Sequence, residues 1–197
     1  AASLVATSML SQMPGITPHT DSATTLSRST SPQTGIPILY GEKVKCGSIV
    51  NWYNVQNNTS QYLFTSHALA MGEINKVSQI WLDDEPVLTT PVTVEGVVPN
   101  TSIDAKYRDI LQLEVYFGKP NYTAGKVLAG TYAGTQWNNS TFKGNGIVQI
   151  YTVIKKTQKS LEDNLLVNDS YVLTAECSGK KIYDLVSGTT IVSNNPV

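Results

Sequence analysis

Charge, cysteine and histidine are all scarce in this sequence, and each shortage closes off a class of function. Asp, Glu, Lys and Arg make up 15% of the 197 residues, well below the roughly 25% of ordinary soluble domains. Fourteen basic and fifteen acidic residues leave a net charge of −1. The basic face that nucleic-acid binding needs is absent. Lys155, Lys156 and Lys159 are the densest cations, and they read as the solvated end of a strand and its following loop. The two cysteines, Cys46 and Cys177, stand in no metal or redox spacing, so buried free thiols are expected and no disulfide framework. Of the two histidines, His19 falls in a Ser/Thr-rich stretch that could not hold a reacting group in place. His67 with Glu73 matches no ligand pattern, because a metal site needs at least three convergent groups.

Long apolar runs are missing too. Residues 1–10, AASLVATSML, are shorter than the roughly 18–20 residues of a membrane span. They also lack the basic flank of a signal peptide, so no membrane segment is expected. GxSxG, P-loop, GxGxxG and CxxC spacings do not occur. The expectation is a protein that is not an enzyme and has no catalytic, cofactor or metal site.

What replaces the charge is Ser, Thr and Asn, at 18, 22 and 14 residues. Val, Ile and Thr together number 54, and their stiff β-branched side chains favour strands. Residues 14–35, PGITPHTDSATTLSRSTSPQTG, cannot bury enough apolar surface to offset their ordering entropy. The division expected is an extended N-terminal arm over 1–35 and a β-rich domain over 36–197. The chain opens on Ala1 and ends at Val197 without terminal punctuation, which reads as a piece of a longer polypeptide.

Strands are expected near 36–40, 44–53, 62–71, 78–82, 110–117, 147–156, 171–178 and 181–183. Pro37 places the first at an edge or a start, and Gly47 marks a bulge or a close backbone approach in the second. The strands at 62–71 and 78–82 read as hairpin partners, and Gly179-Lys180 as the turn between the last two. In 110–117, Leu111, Leu113, Val115 and Phe117 fall on one face, with Gln112, Glu114 and Tyr116 on the other, as in a half-buried strand. Residues 89–109 carry weak order signals, and the Gly-rich stretch 118–145 reads as a loop-rich excursion. Together 89–145 form an expected variable insertion.

The residues singled out for binding or assembly are Trp81, Asp83, Asp84 and Trp137. Asp83, Asp84 and Glu85 form an acidic knot beside Pro86. Adjacent carboxylates point apart, so a hairpin turn is the main reading and weak calcium binding the minor one. Trp81 alternates with Ile80 and Leu82 and so faces away from their side of the strand. Seven N-x-S/T triplets, at Asn57, Asn58, Asn100, Asn121, Asn138, Asn139 and Asn168, follow from Asn- and Thr-rich composition rather than marking glycosylation.

Four runs in order resemble the tail-tip hub proteins, of the host-specificity J type, of long-tailed bacteriophages. They are Ile36-Pro37-Ile38-Leu39-Tyr40-Gly41 to Gly47; Tyr62-Leu63 with Ala68-Leu69-Ala70-Met71-Gly72-Glu73-Ile74 and Ile80-Trp81-Leu82-Asp83-Asp84-Glu85-Pro86-Val87; Trp137 with Gly146 and the strand Ile147 to Lys156; and Gly179-Lys180-Lys181-Ile182-Tyr183-Asp184 through Asn195-Pro196. The resemblance spans 36–197, with 89–135 unaligned. It implies a mainly β, hub-type β-sandwich or β-barrel domain in the virion. It further implies assembly as a homotrimeric ring with the distal tail and tape-measure proteins, and a part in host attachment and genome delivery, with a host surface receptor met through other parts of the chain. The alternative is a carbohydrate-binding β-sandwich whose exposed aromatics, Trp52, Trp81 or Trp137, stack on sugars. A tail-associated hydrolase is the third reading, and this segment supplies no paired acid and base for it.

Overall fold

Alternation with a period of two only buries a strand if something covers the apolar side, and here a second sheet does. A computed structural model describes residues 35–41, 43–57, 61–157, 171–183 and 192–193; the N-terminal arm expected over 1–35 lies almost wholly outside them. The described residues are mainly β. One antiparallel sheet has the order β1 (Val44–Gly47), β9 (Leu173–Cys177), β4 (Val77–Leu82), β5 (Glu85–Pro86). The other has the order β2 (Ile49–Asn57), β3 (Gln61–Met71), β8 (Ile147–Lys156), β7 (Leu111–Phe117), β6 (Gly96–Val97). A separate pair joins β10 (Ile182–Tyr183) to β11 (Val192–Ser193). A short helix, α1 (Val127–Tyr132), is the one α-helix among the described residues. Neither sheet closes on itself, so the fold is a sandwich and not a barrel.

The face of the second sheet that meets the first is aliphatic. Leu111, Leu113, Val115 and Phe117 of β7 join Leu63, Ile150 and Ile154 of β3 and β8, and Ile80, Leu82, Leu173 and Ala175 of the first sheet, in one buried core. Each of the Leu, Ile, Val and Phe side chains contributes roughly 1.5–3 kcal/mol by leaving water. The opposite face of the same strands is covered as well. Phe64, Tyr116, Tyr151 and Val153 pack under Tyr122, Leu128, Ala129, Ala133 and Trp137 in a second buried cluster. The stretch 118–145 is therefore a third layer laid over the sheet.

Several expectations change. Residues 36–40 form no strand; the segment is extended and tied by single bonds, Met71 N to Pro37 O at 2.8 Å and Lys180 N to Leu39 O at 2.7 Å. Pro37 offers no amide, and Gly41 at φ 109° turns the chain away before a ladder can form. The strand expected over 44–53 is two strands. β1 pairs with β9 in one sheet and β2 with β3 in the other, so the chain changes sheets at Gly47-Ser48, as strands at sandwich corners do.

β3 and β4 are not hairpin partners either. They belong to different sheets, because Gly72 at φ 95° bends the chain out of β3 and the buried Ile74 binds Phe117 O through its amide at 2.9 Å. Gly179-Lys180 is likewise no hairpin turn, since β9 lies between β1 and β4 while β10 pairs with β11. Residues 89–109 are well built into the core. Val77 bridges to Val92 and Leu88 to Ile103, and Val98, Ile103 and Tyr107 are buried between the sheets.

Candidate functional site

The acidic knot is a two-residue turn. Leu82 pairs with Glu85 across it, and Asp83 (φ 51°) and Asp84 (φ 66°) both occupy the left-handed region. That is the type I′ geometry whose twist matches a hairpin, and a short Asp side chain tolerates it better than most residues do. Asp83 is spent on the fold: its amide donates to Val172 O at 2.9 Å and its Oδ1 accepts the Val172 amide at 2.8 Å. The turn thus pins the start of β9. Trp81 is partly buried, on the side opposite Ile80 and Leu82, which are 0% and 1% exposed, and it pairs with Pro86 and Thr174 across the ladders. Asp84 is exposed. Among the described residues no group of three His, Cys, Asp or Glu side chains is arranged to hold a metal ion.

Trp137 belongs to the other layer. Its indole stands edge-on to Tyr151 at 5.6 Å and 89°, and its Nε1 donates to Asn139 Oδ1 at 2.8 Å. The structure therefore keeps Trp81, Asp83 and Asp84 in one hairpin and does not bring Trp137 to them. Asn139 Oδ1 also accepts the Lys126 amide at 3.0 Å, and Asn138 Oδ1 accepts the Ser140 amide at 2.9 Å. Both asparagines hold the turn before β8 together. The side chain of Trp52 lies outside what is described.

Residues from all four sequence runs instead meet at one end of the sandwich. The Gly72 amide donates to Gly146 O at 2.7 Å, the Gly179 amide to Gly41 O at 2.7 Å, and the Lys181 amide to Glu73 O at 2.7 Å. Lys181 Nζ also reaches Glu73 Oε1 at 2.6 Å. The approach is close: a Cβ on Gly179 would stand 2.7 Å from Tyr40 Cα, and one on Gly72, already at positive φ, 2.7 Å from the Lys180 stem. A Cβ on Gly118 would meet Gly72 O at 2.5 Å. Only glycine allows these connections to cross. This junction closes the fold.

Two polar clusters were not read from the sequence as buried. The first sits between the sheets. His67 is 1% exposed, with Nδ1 3.0 Å from Ser48 Oγ and Nε2 2.8 Å from Thr65 Oγ1 and 3.0 Å from the Tyr171 hydroxyl. Thr65, Thr152 and Tyr171 also hydrogen-bond to one another. Burial holds the imidazole neutral, with its pKa drawn down to about 3, and lifts the Tyr171 phenol to about 12. Both ring nitrogens are engaged, so His67 is a core residue.

The second cluster lies under α1. Glu114, 0% exposed, accepts the amides of Val127 at 2.9 Å and Leu128 at 2.8 Å and the Tyr116 hydroxyl at 2.6 Å. A carboxylate on β7 thus satisfies two orphan amides at the start of the helix. Lys126 is buried beside it, its Nζ 3.2 Å from the Tyr116 ring centroid and 3.8 Å from that of Tyr122. Nζ makes no hydrogen bond among the described residues. Burial draws this ammonium down to about 8, against the pull of the Glu114 and Glu95 carboxylates, while burial raises the Tyr116 and Tyr122 phenols. The expectation that Glu114 and Tyr116 face solvent is corrected: both are buried, because the 118–145 excursion covers them. The signal was present in the excursion's own apolar residues, Tyr122, Leu128 and Trp137, which need a surface to pack on.

The two thiols are free and buried, as expected. No helix among the described residues is long and apolar enough to cross a membrane. No family model and no curated protein matches the sequence. Among solved structures, the chain is similar to a chain of the virion of a native gene transfer agent particle, with 17% identity, a TM-score of 0.48, and coverage of 79% of this chain. The chain spans 29% of the length of that neighbour.

Proposed function

We propose that the chain is a structural, non-enzymatic domain of a phage-type virion, belonging to the hub at the tail tip. The observation that carries this reading is the glycine junction. Gly41, Gly72-Glu73, Gly146 and Gly179 to Lys181 come from runs far apart in the chain, yet they bind one another at one end of the sandwich. A chance likeness among short runs gives no reason for them to meet; a shared fold does. The polar reserve of the chain also agrees with this reading. His67, Asp83 and Glu114 are committed to backbone or core partners, and a low-charge, Ser/Thr/Asn-rich composition suits contacts between identical copies.

In this proposal the chain works as a homotrimeric ring seated on the distal tail and tape-measure proteins, and it contributes to attachment and genome delivery. The test is a stop codon in this reading frame, with particles purified from the resulting lysate. Tails that lack a tip and fail to infect until the full chain is supplied in trans support the proposal. Particles of normal form and infectivity refute it.

A further inference from the structure

The outer layer does not cover the whole face of the second sheet. Beyond the C-terminal end of α1 a cleft of about 290 Å3 opens between Tyr132 and the segments holding Asn100 and Arg108. Its floor is the end of the sheet: Tyr62 of β3 beside its ladder partner Lys155 of β8, and Gln112 of β7 beside Val153. The Tyr62 and Tyr132 rings meet at 48° with centroids 5.2 Å apart, and Lys155 Nζ lies 6.0 Å from the Tyr62 ring. The Tyr132 hydroxyl donates to Gln112 Oε1 at 3.3 Å, which orients that amide and directs its N–H groups elsewhere. Arg108 is anchored through Nε on Ile103 O at 2.8 Å, so its guanidinium is held at the rim. The tyrosines are partly buried, while Asn100, Arg108, Asp109 and Gln112 are exposed.

We propose that this cleft binds a saccharide, about one pyranose ring deep, with a preference for a sugar that carries a carboxylate. A pyranose presents an apolar C–H face, which an aromatic floor covers, and a belt of hydroxyls, which pair with amide, guanidinium and carboxylate groups around it. The lining is mainly polar; the partly buried Tyr62 and Tyr132 rings offer a narrow apolar strip to the first, and Gln112, Arg108 and Asp109 supply the second. Small-ligand sites begin at roughly 300 Å3, so the cleft has room for one ring and not for a long chain. Arg108 and Lys155 outnumber Asp109, which favours an anionic sugar. A single-stranded nucleic acid is the poorer fit. It needs a basic groove that tracks its backbone, and here Asp109 sits in the cleft while the chain as a whole carries a net charge of −1.

The inference stands on the cleft and not on the assembly reading, and it shifts the sugar platform away from the tryptophans to Tyr62 and Tyr132. The test is to pass the full chain over a printed array of neutral and uronic-acid-containing oligosaccharides, with the hexanucleotide dT6 as a competitor, and to repeat it with Arg108→Ala and Gln112→Ala. Both substituted residues are exposed, and the melting temperatures of the variants show that they fold. The expected result is retention of uronic-acid sugars that dT6 does not displace, weakened about tenfold in each variant, or by about 1.4 kcal/mol. No retained sugar, equal retention by the folded variants, or displacement by dT6 would overturn it.

Discussion

The two faces of the second sheet are made by the same strands, and they are buried in different ways. The inner face is aliphatic, with Leu63, Leu113, Val115, Ile150 and Ile154 against the first sheet, and its polar members form a closed knot around His67. The outer face is aromatic and ionic, with Phe64, Tyr116, Tyr151 and Trp137 around Glu114 and Lys126. A sheet-on-sheet face is met by another periodic surface, so aliphatic side chains interdigitate well. The outer face is met by a loop and six residues of helix. Large rings fill that irregular gap, and buried polar groups must satisfy the loop's backbone. The inner face holds the sandwich together; the outer face holds a layer onto it.

Neighbours on β8 separate the two most sharply. Ile150 and Tyr151 are both 0% exposed and face opposite sides. Ile150→Ala and Tyr151→Ala should each cost roughly 3–5 kcal/mol in denaturant unfolding. Hydrogen exchange should then distinguish them, with Tyr151→Ala speeding amides of 118–145 before those of β9, and Ile150→Ala speeding both together. Equal patterns would mean that the two faces form one cooperative unit. Next in size is Glu114→Ala, which strips the Val127 and Leu128 amides of their acceptor at roughly 1–3 kcal/mol each. Glu114→Gln keeps one acceptor oxygen and should lose less, with helix amide exchange as the readout.

pH should also tell the faces apart. On the inner face, the His67 pKa is lowered to about 3 from the ordinary histidine value. The unfolded chain takes up that proton first, so stability is whole above about pH 6.5 and falls as pH drops toward 3. On the outer face, Lys126 is drawn down to about 8. Its unfolded form binds the proton below about 10.4, so stability should rise as pH climbs from 8 until the raised phenols of Tyr116 and Tyr122 add their own loss above about 10. Melting curves of Lys126→Met, flat between pH 8 and 9.5 where the parent climbs, are the expected result. The smallest effect belongs to neither face. Asp84→Gly relieves a left-handed φ at the exposed turn and should stabilise by no more than about 1 kcal/mol, read as a small rise in melting temperature.

Much of the inner face was legible because alternation reports one covered side. Leu111 to Phe117 and Ile147 to Lys156 are found where the pattern put them, and the Asp83-Asp84 turn was readable from its residue types. The outer face was not legible, since Gln112, Glu114 and Tyr116 look like solvent-facing residues whether water or a loop lies above them. Pairing was the harder part. Nothing local in 62–71 or 78–82 says that Gly72 sends the chain to the other sheet, because sheet membership is set by contacts distant in sequence. The cleft is illegible for the same reason, as Tyr62, Arg108 and Tyr132 are far apart in sequence and come together only in the fold.

The central claim is that this sandwich is a fixed part of a particle, held at the tail tip. Immunogold labelling of intact purified virions, with antibodies raised against the chain, tests it most directly. The account predicts gold at a single pole of each particle, at the far end of the tail. Label on the capsid or along the tail shaft, or virions that carry no label while the chain remains in the soluble lysate, would contradict it.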